Sequence, residues 1–399
     1  MGISLGLVGL GSFGSAFAKL FKSHPLVDRF ALCDREPERL ARFTKDPFFA
    51  DKFDPSDAYA SLDDICASDL DALAIITQHW LHTPQAVQAL EAGKHVYSAV
   101  PLLSVPDGDE ILEWCDKLIE TVRRTGLHYM YGETTYCRPQ AMYCRRQAAA
   151  GAFGEFIHAE GDYLHDVEHG LREVKARREG SASGQEWVKK AATYKARGIV
   201  GGPMHYPTHS TAGPICVMNA HAVRVCAWPF YNKDNDPWFE GAPSDETALF
   251  QMSNGATMRI CEHREIGMPG RETFRVYGSQ GSFEDGRFYT KHDHTDLTAE
   301  EMRDPLPPSV AAAFRGWKKQ SVPDASQLSA QELEDFLGGH GGSHAYLVHE
   351  FVDAVANDRM PAITAWDAVR YTAAGVMAHQ SALKDGEVLD VPDWGDAPE

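Results

Sequence analysis

An apolar run, Ile3 to Val8, opens directly into Gly9-Leu10-Gly11-Ser12-Phe13-Gly14. No other feature constrains the fold as strongly. Gly9 permits a tight turn, Gly11 lets backbone approach a pyrophosphate, and Gly14 lets the next helix sit close against the strand. From Ser15 to Lys22 the pattern is helical, with Phe17, Leu20 and Phe21 on one side. The amides at such a helix start favour an anion, so Gly9, Gly11, Ser12, Phe13 and Gly14 are expected to hold the phosphates of a dinucleotide. A second apolar strand, 29–33, stops at Asp34, which lies 20 residues beyond Gly14. Its carboxylate can accept hydrogen bonds from ribose hydroxyls and repels a 2′-phosphate, which favours NAD over NADP. The neighbouring Arg35 is the one residue that speaks for the phosphate.

Further strands are expected at 71–77, 94–97 and 128–131, with helices at 83–92 and 111–123 between them. Strands alternating with helices give a parallel sheet covered on both faces. After about residue 135 the pattern changes to period-two strands at 155–163, 222–228, 247–252, 257–262, 273–277 and 282–284. Asn254-Gly255 and Gln280-Gly281 mark hairpin turns between them. Two helices, 344–356 and 364–383, close the chain. The Pro-rich tract 286–330 shows no clear period and reads as a surface excursion.

The formal charge of −19 argues against nucleic acid or an anionic membrane as a partner, since both call for a basic face. No apolar run is long enough to span a bilayer. The first residues already read as strand, without the basic region of a secretory leader. The eight cysteines are scattered with no Cys-x-x-Cys pair, as in a cytoplasmic protein with reduced thiols.

Three clusters carry groups suited to proton transfer. Glu133 follows the last parallel strand. Tyr163 and His165 end the first strand of the second region. His205, Tyr206 and His209 precede an apolar helical run. Histidine titrates near neutrality and a tyrosine can be tuned by a nearby cation. His205 and His209 are also spaced like zinc ligands on a helix, but no third ligand has suitable spacing, so no metal is expected.

The sequence resembles the Gfo/Idh/MocA family of nicotinamide-dependent sugar oxidoreductases. The resemblance implies an N-terminal Rossmann domain, residues 1–134, and a C-terminal α+β domain, residues 135–399, with a large, mostly antiparallel open sheet that serves substrate binding and oligomerisation. It implies a homo-oligomer, dimer or tetramer, with NAD as cofactor and a small-molecule glycoside as substrate. Thr77-Gln78-His79-Trp80-Leu81-His82 is similar to a family loop beside the nicotinamide, which adds Thr77, His79 and His82 to the cofactor set. The family segment that ends Glu-Lys-Pro reads here Ala99-Val100-Pro101, so its proton-moving lysine is absent. The order Glu133, then Tyr163 and His165, then Tyr206 and His209 resembles the NAD-dependent glycosidase branch, which contains glycoside hydrolase family 109 and the NAD-dependent sulfoquinovosidases.

That branch implies oxidation at C3 of the sugar, elimination across C2 and C1, water addition and re-reduction. His209 would serve the 3-hydroxyl, Tyr163 with His165 the C2 proton, and Tyr206 the leaving group, with Glu133 holding sugar hydroxyls or orienting an imidazole. The alternatives are an NAD-dependent sugar or inositol dehydrogenase and an N-acetylgalactosaminidase. The insert 172–197 carries eight basic residues against three acidic ones. It reads either as an anion pocket for a substrate such as a sulfoquinovoside, through Lys189, Lys190 and Lys195 with His205 nearby, or as a solvated basic face or oligomer contact.

Overall fold

Strands β1 (Ile3–Val8), β2 (Val27–Cys33), β3 (Ala58–Tyr59), β4 (Ala72–Ile75), β5 (His95–Ala99) and β6 (Tyr129–Gly132) form one parallel sheet in the order β3-β2-β1-β4-β5-β6. They belong to a computed structural model that describes residues 2–321 and 338–398, leaving aside the side chains of 317–321. Every residue of β4 and β6 is buried, as strands covered on both faces require. The chain leaves β1 toward β2 on one side and returns to β4 on the other. This is a topological switch point, where a crevice opens at the carboxyl ends of the strands. Helix α1 (Ser12–Ser23) starts in that crevice, and α2 (His82–Glu91) and α3 (Gly108–Thr125) follow β4 and β5.

The second sheet contains β7 (Phe156–Leu164), β8 (Ala222–Phe230), β9 (Asp245–Met252), β10 (Thr257–His263), β11 (Arg271–Gly278), β12 (Gly281–Glu284), β13 (Arg287–Thr290), β14 (His294–Asp296) and β15 (Leu389–Asp390). Its order is β14-β13-β12-β11-β7-β10-β9-β8-β15. The β7–β10 pair is parallel and the others are antiparallel, so the sheet is mixed and mostly antiparallel. Buried and exposed residues alternate along β9, which has one face on the core and one outward. Helices α6 (Thr208–Met218) and α8 (Ala365–Ala382) cover the inner face; α7 (Gly339–Ala356) lies against α1.

One expectation is corrected. The tract 286–330 is not without regular structure: it contains β13, β14 and a helix at Pro308–Ser321, while 322–330 fall outside the described residues. The insert folds as two helices, α4 (Arg172–Glu179) and α5 (Ala182–Ala196). Helix α4 buries none of its residues, so it has no apolar stripe for periodicity to reveal. Among the described residues no helix is long and apolar enough to cross a membrane.

Gly161 sets how close α6 comes to β7, since a Cβ there would lie 1.9 Å from the Ser210 carbonyl oxygen. Gly161→Ala should therefore push the first turn of α6 off the sheet. The expected loss of stability is about 1–3 kcal/mol, read from denaturant unfolding.

Candidate active site

A cavity of about 430 Å³ lies over the switch point, lined by Gly9, Gly11, Ser12, Phe13, Gly14, Asp34, Arg35 and Thr77 among others. Gly9 has φ +96° and a Cβ on it would meet the Ile76 carbonyl at 2.2 Å; a Cβ on Gly14 would meet the Gly9 carbonyl at 1.9 Å. Both positions therefore exclude any larger residue. A Cβ on Gly11 would meet nothing within 4 Å, because that atom would stand in the open cavity. This is a cradle shaped for a pyrophosphate at the start of α1. Asp34 Oδ2 accepts from the Leu10 amide at 2.7 Å and Oδ1 from the Glu36 amide at 2.9 Å, which fixes the carboxylate at the ribose end. The residues present fit a dinucleotide. Arg35 lines the same cavity and is held there by Glu186 of α5, with which its guanidinium pairs in two-pronged fashion at 2.7 and 3.0 Å.

A second cavity, of about 540 Å³, adjoins the first and lies between the two sheets' carboxyl ends and the insert. Tyr163 and Tyr206 line it, their rings perpendicular with centroids 6.2 Å apart. Each hydroxyl is backed by a histidine: Tyr163 by His165 Nδ1 at 3.0 Å and Tyr206 by His209 Nε2 at 3.1 Å.

The two histidines differ in protonation. His165 Nε2 donates to the His169 carbonyl at 3.0 Å, so Nδ1 is the acceptor of the Tyr163 hydroxyl. Burial holds the His165 pKa below its ordinary value, which keeps the ring neutral. Burial also works against the His209 cation, but Glu133 and Glu272 outweigh it and raise the pKa to about 9. His209 Nδ1 lies 3.1 Å from Glu133 Oε1 and 3.6 Å from Glu272 Oε1. Glu133 is fully buried; burial would raise its pKa, yet His209 and the donors Thr208 and Thr135 bring it down to about 2. Near neutrality His209 is thus an imidazolium, and its Nε2–H donates to the Tyr206 oxygen. Burial and the nearby Tyr163 and Glu133 push Tyr206 well above the usual phenol range, so its own O–H remains available to the cavity.

The structure brings Glu133, Tyr163, His165, Tyr206 and His209 together, with one change of role. Glu133 does not line the cavity; of its two expected roles it takes the one of orienting an imidazole. His209 is charged, so it is not placed as the base for the sugar's 3-hydroxyl. His205 lines the cavity from the turn Pro203–His205, outside α6, and its Nδ1 donates to the Val105 carbonyl at 3.0 Å. It shares no helix face with His209. Thr77 lines the cofactor cavity, whereas His79 lines the second cavity and His82 lines neither. His82 instead ties its loop to the Pro101 carbonyl at 2.8 Å. Lys189, Lys190 and Lys195 line neither cavity. Lys190 pairs with Glu110 at 2.7 Å and Lys195 with Glu240 at 3.2 Å, while Lys189 is exposed.

In the second cavity the insert's cations are Lys175 and Arg178, while Arg177 lines the first. Arg178 lines both cavities and donates to His79 Nδ1 at 3.0 Å. Lys175 lies over the Trp238 ring at 4.8 Å. Among the described residues no carboxylate pairs with either. Trp80 and Trp187, stacked at 4.7 Å, add flat apolar surface of the kind a sugar ring rests on, and Arg264 completes the wall. Glu272, Glu262 and Arg264 carry no signal in the sequence, because only strand pairing brings them to Tyr163. Lys175 and Arg178 carried the same basic signal as their neighbours, and only the fold separates the two groups.

Residues 3–132 match a family described as oxidoreductase family, NAD-binding Rossmann fold, and residues 216–389 match its C-terminal alpha/beta domain. A Porphyromonas gingivalis protein named glycosyl hydrolase family 109 protein is 32% identical over 98% of this chain and 84% of its own length. A Streptomyces niveus protein of the same name is 27% identical over 98% of this chain and 77% of its own. The fold matches that of levoglucosan dehydrogenase in complex with NADH and L-sorbose, with TM-score 0.71 and 17% identity over 98% of this chain and 100% of that one. NAD is the cofactor of the N-terminal domain.

The raised pKa of His209 has a consequence for stability. The charged pair with Glu133 stabilises the fold in full below the ordinary imidazole value of 6.5, and this contribution fades as pH rises through about 9. Glu133→Gln should move His209 titration, followed by NMR, down by a unit or more, to about 8 or below. It should also flatten the fall in unfolding free energy over that range.

Proposed function

The chain belongs to the Gfo/Idh/MocA oxidoreductase family, and from that premise we propose that it is an NAD-dependent glycosidase. The observation that carries this reading is the pair of Tyr–His couples facing one cavity with opposite protonation. Oxidation of an alcohol calls for a single group to accept a hydroxyl proton. Cleavage of a glycosidic bond by elimination calls for a base at the carbon beside the carbonyl and an acid at the leaving oxygen. Tyr163 with neutral His165 is the proton-accepting couple. Tyr206 with the His209 cation is the donating one: the phenol gives its proton to the leaving oxygen and takes the Nε2 proton in return. Glu133 then faces a neutral imidazole, ready for the reverse transfer when water adds.

Bound NAD supplies the redox part of the cycle, taking a hydride from the sugar and giving it back. The chain contributes the cradle from Gly9 to Gly14, the ribose-facing Asp34, and a second cavity roofed by Trp187 and floored by the two tyrosines. The position of the family's lysine is occupied by Ala99 and Val100, as suits a site whose proton traffic runs through the Tyr–His couples. The substrate we propose is a glycoside with an anionic substituent, a sulfonate or carboxylate, held by Lys175 and Arg178. Among the described residues neither cation is paired with a carboxylate, so both are open to an anion in the cavity.

A glycosidase of this kind regenerates its cofactor. Sub-stoichiometric NAD should support many turnovers without build-up of NADH, and in heavy water deuterium should enter C2 of the released sugar. NADH formed mole for mole, with C2 unlabelled, would instead identify a dehydrogenase.

The substrate reading makes a separate forecast. A 6-sulfo or 6-carboxy glycoside should be preferred over its neutral counterpart by about 1.5–3 kcal/mol in kcat/KM. Arg178→Gln and Lys175→Met should raise KM for the anionic substrate and leave a neutral one nearly unchanged. Lys189→Gln and Lys195→Gln should do neither. Equal turnover of a neutral N-acetyl sugar would exclude the anionic class.

A further inference from the structure

We propose that Arg264 is the positioning residue that enables Tyr163 to ionise, by standing on the phenol ring while neutralising the carboxylate beside it. The proposal rests on the reading of Tyr163 as the proton acceptor and extends it.

Strand register sets the problem. Tyr163 is paired with Glu262 on parallel β10 and with Glu272 on antiparallel β11, so an acid stands level with it on either side of one sheet face. Two carboxylates oppose a phenolate between them. Each is answered by an arginine: Arg138 lies 2.5 Å from Glu272, and Arg264 lies 2.6 Å from Glu262. Arg264 alone also covers the ring, with its guanidinium carbon 4.6 Å from the Tyr163 centroid. Its NH1 donates to the carbonyls of Tyr163 and His263, both at 3.1 Å, and its backbone amide donates to Asp245 at 3.0 Å. The planar fork thus serves one carboxylate and two carbonyls while its face remains on the phenol, a combination a lysine lacks.

Glu262 is fully buried and also accepts from the Ser210 hydroxyl, next to His209. Burial raises its pKa to about 7, while Arg264, Ser210 and His209 favour its charged form. The other groups facing Tyr163 are His165 just past the end of its strand, Tyr206 and His209 on the side of α6, and Arg178 from α4. Burial raises the Tyr163 phenol to about 12, and Arg264 is the strongest influence pulling it down. In the step itself the phenol proton passes to His165 Nδ1. The phenolate then takes the proton from the sugar carbon, and the C–H electron pair stays on the sugar. Arg264 holds the intervening charge.

The test uses the NAD-loaded protein and three variants, Arg264→Met, Arg264→Lys and Glu262→Gln. Tyr163 ionisation is read without any glycoside, as the ultraviolet tyrosinate signal of each protein minus that of its Tyr163→Phe counterpart. Arg264→Met should move Tyr163 ionisation to higher pH, and Glu262→Gln, which leaves the arginine uncompensated, should move it to lower pH. Arg264→Lys should lie between Arg264→Met and the parent. With substrate, the acid limb of kcat should shift in the same two directions, about tenfold in kcat for each pH unit, with KM little changed. NAD affinity reports that each variant is folded. Equal shifts in one direction, no shift, or a rise in KM alone for Arg264→Met would overturn the proposal. Because the titration needs no substrate, it stands or falls apart from the identity of the reaction.

Discussion

Glu133 is a carboxylate with no solvent exposure, and the site depends on how its charge is satisfied. An unpaired buried charge is prohibitive, and removing one partner from a buried pair costs about 3–5 kcal/mol. Oε1 takes the Thr135 amide at 2.8 Å and His209 at 3.1 Å, and Oε2 takes the Thr208 hydroxyl. Thr208 and His209 form the first turn of α6, while Glu133 directly follows the last strand of the dinucleotide sheet. One carboxylate therefore joins the cofactor domain to the helix that carries His209. The same contacts keep His209 charged. Fold and protonation state are set by a single interaction.

The opposite state of His165 has an equally local origin. Its Nε2–H is committed to the His169 carbonyl, and no carboxylate lies close enough to offset burial. Two couples built from the same residue types thus differ because one has a buried acid behind it and the other a peptide oxygen. Tyrosine, as the group presented to the cavity, suits both roles: it hands a proton either way without carrying charge at rest.

The parallel sheet, the glycine turn and Asp34 were legible because they are local in sequence, whereas Glu133, Tyr163, His165, Tyr206 and His209 were grouped by the order that resembles a known family. Three kinds of information were not legible. Strand order decides that Glu262 and Glu272 flank Tyr163, and register is a long-range property. Ion pairing decides which lysines of the insert are free. Side-chain reach decides that His82, three residues from His79, braces a loop through Pro101 whereas His79 faces the cavity. The helices of the insert escaped notice because α4 has no buried face to impose a period.

The insert shows why charge count alone misleads. In a chain of net charge −19, three of the insert's four basic residues from Lys189 to Arg197 find an acid on the cofactor domain or on the loop before β9. Lys190 meets Glu110, Arg197 meets Asp107, and Lys195 meets Glu240. Glu186 reaches the other way to Arg35, and the Ala182 amide donates to Glu36 at 3.0 Å. Trp187 stacks on Trp80. These contacts fasten α5 across the cofactor crevice from both ends, at sites exposed enough for each surface pair to contribute little alone. Their sum lies in geometry: with α5 fixed, the short helix α4 is held over the tyrosines, and Arg178 is directed into the wall shared by both cavities. The basic residues that hold the insert down are different from those it presents. The two adjoining cavities are thereby brought under one cover, with Val174 and Arg178 of α4 in the wall they share.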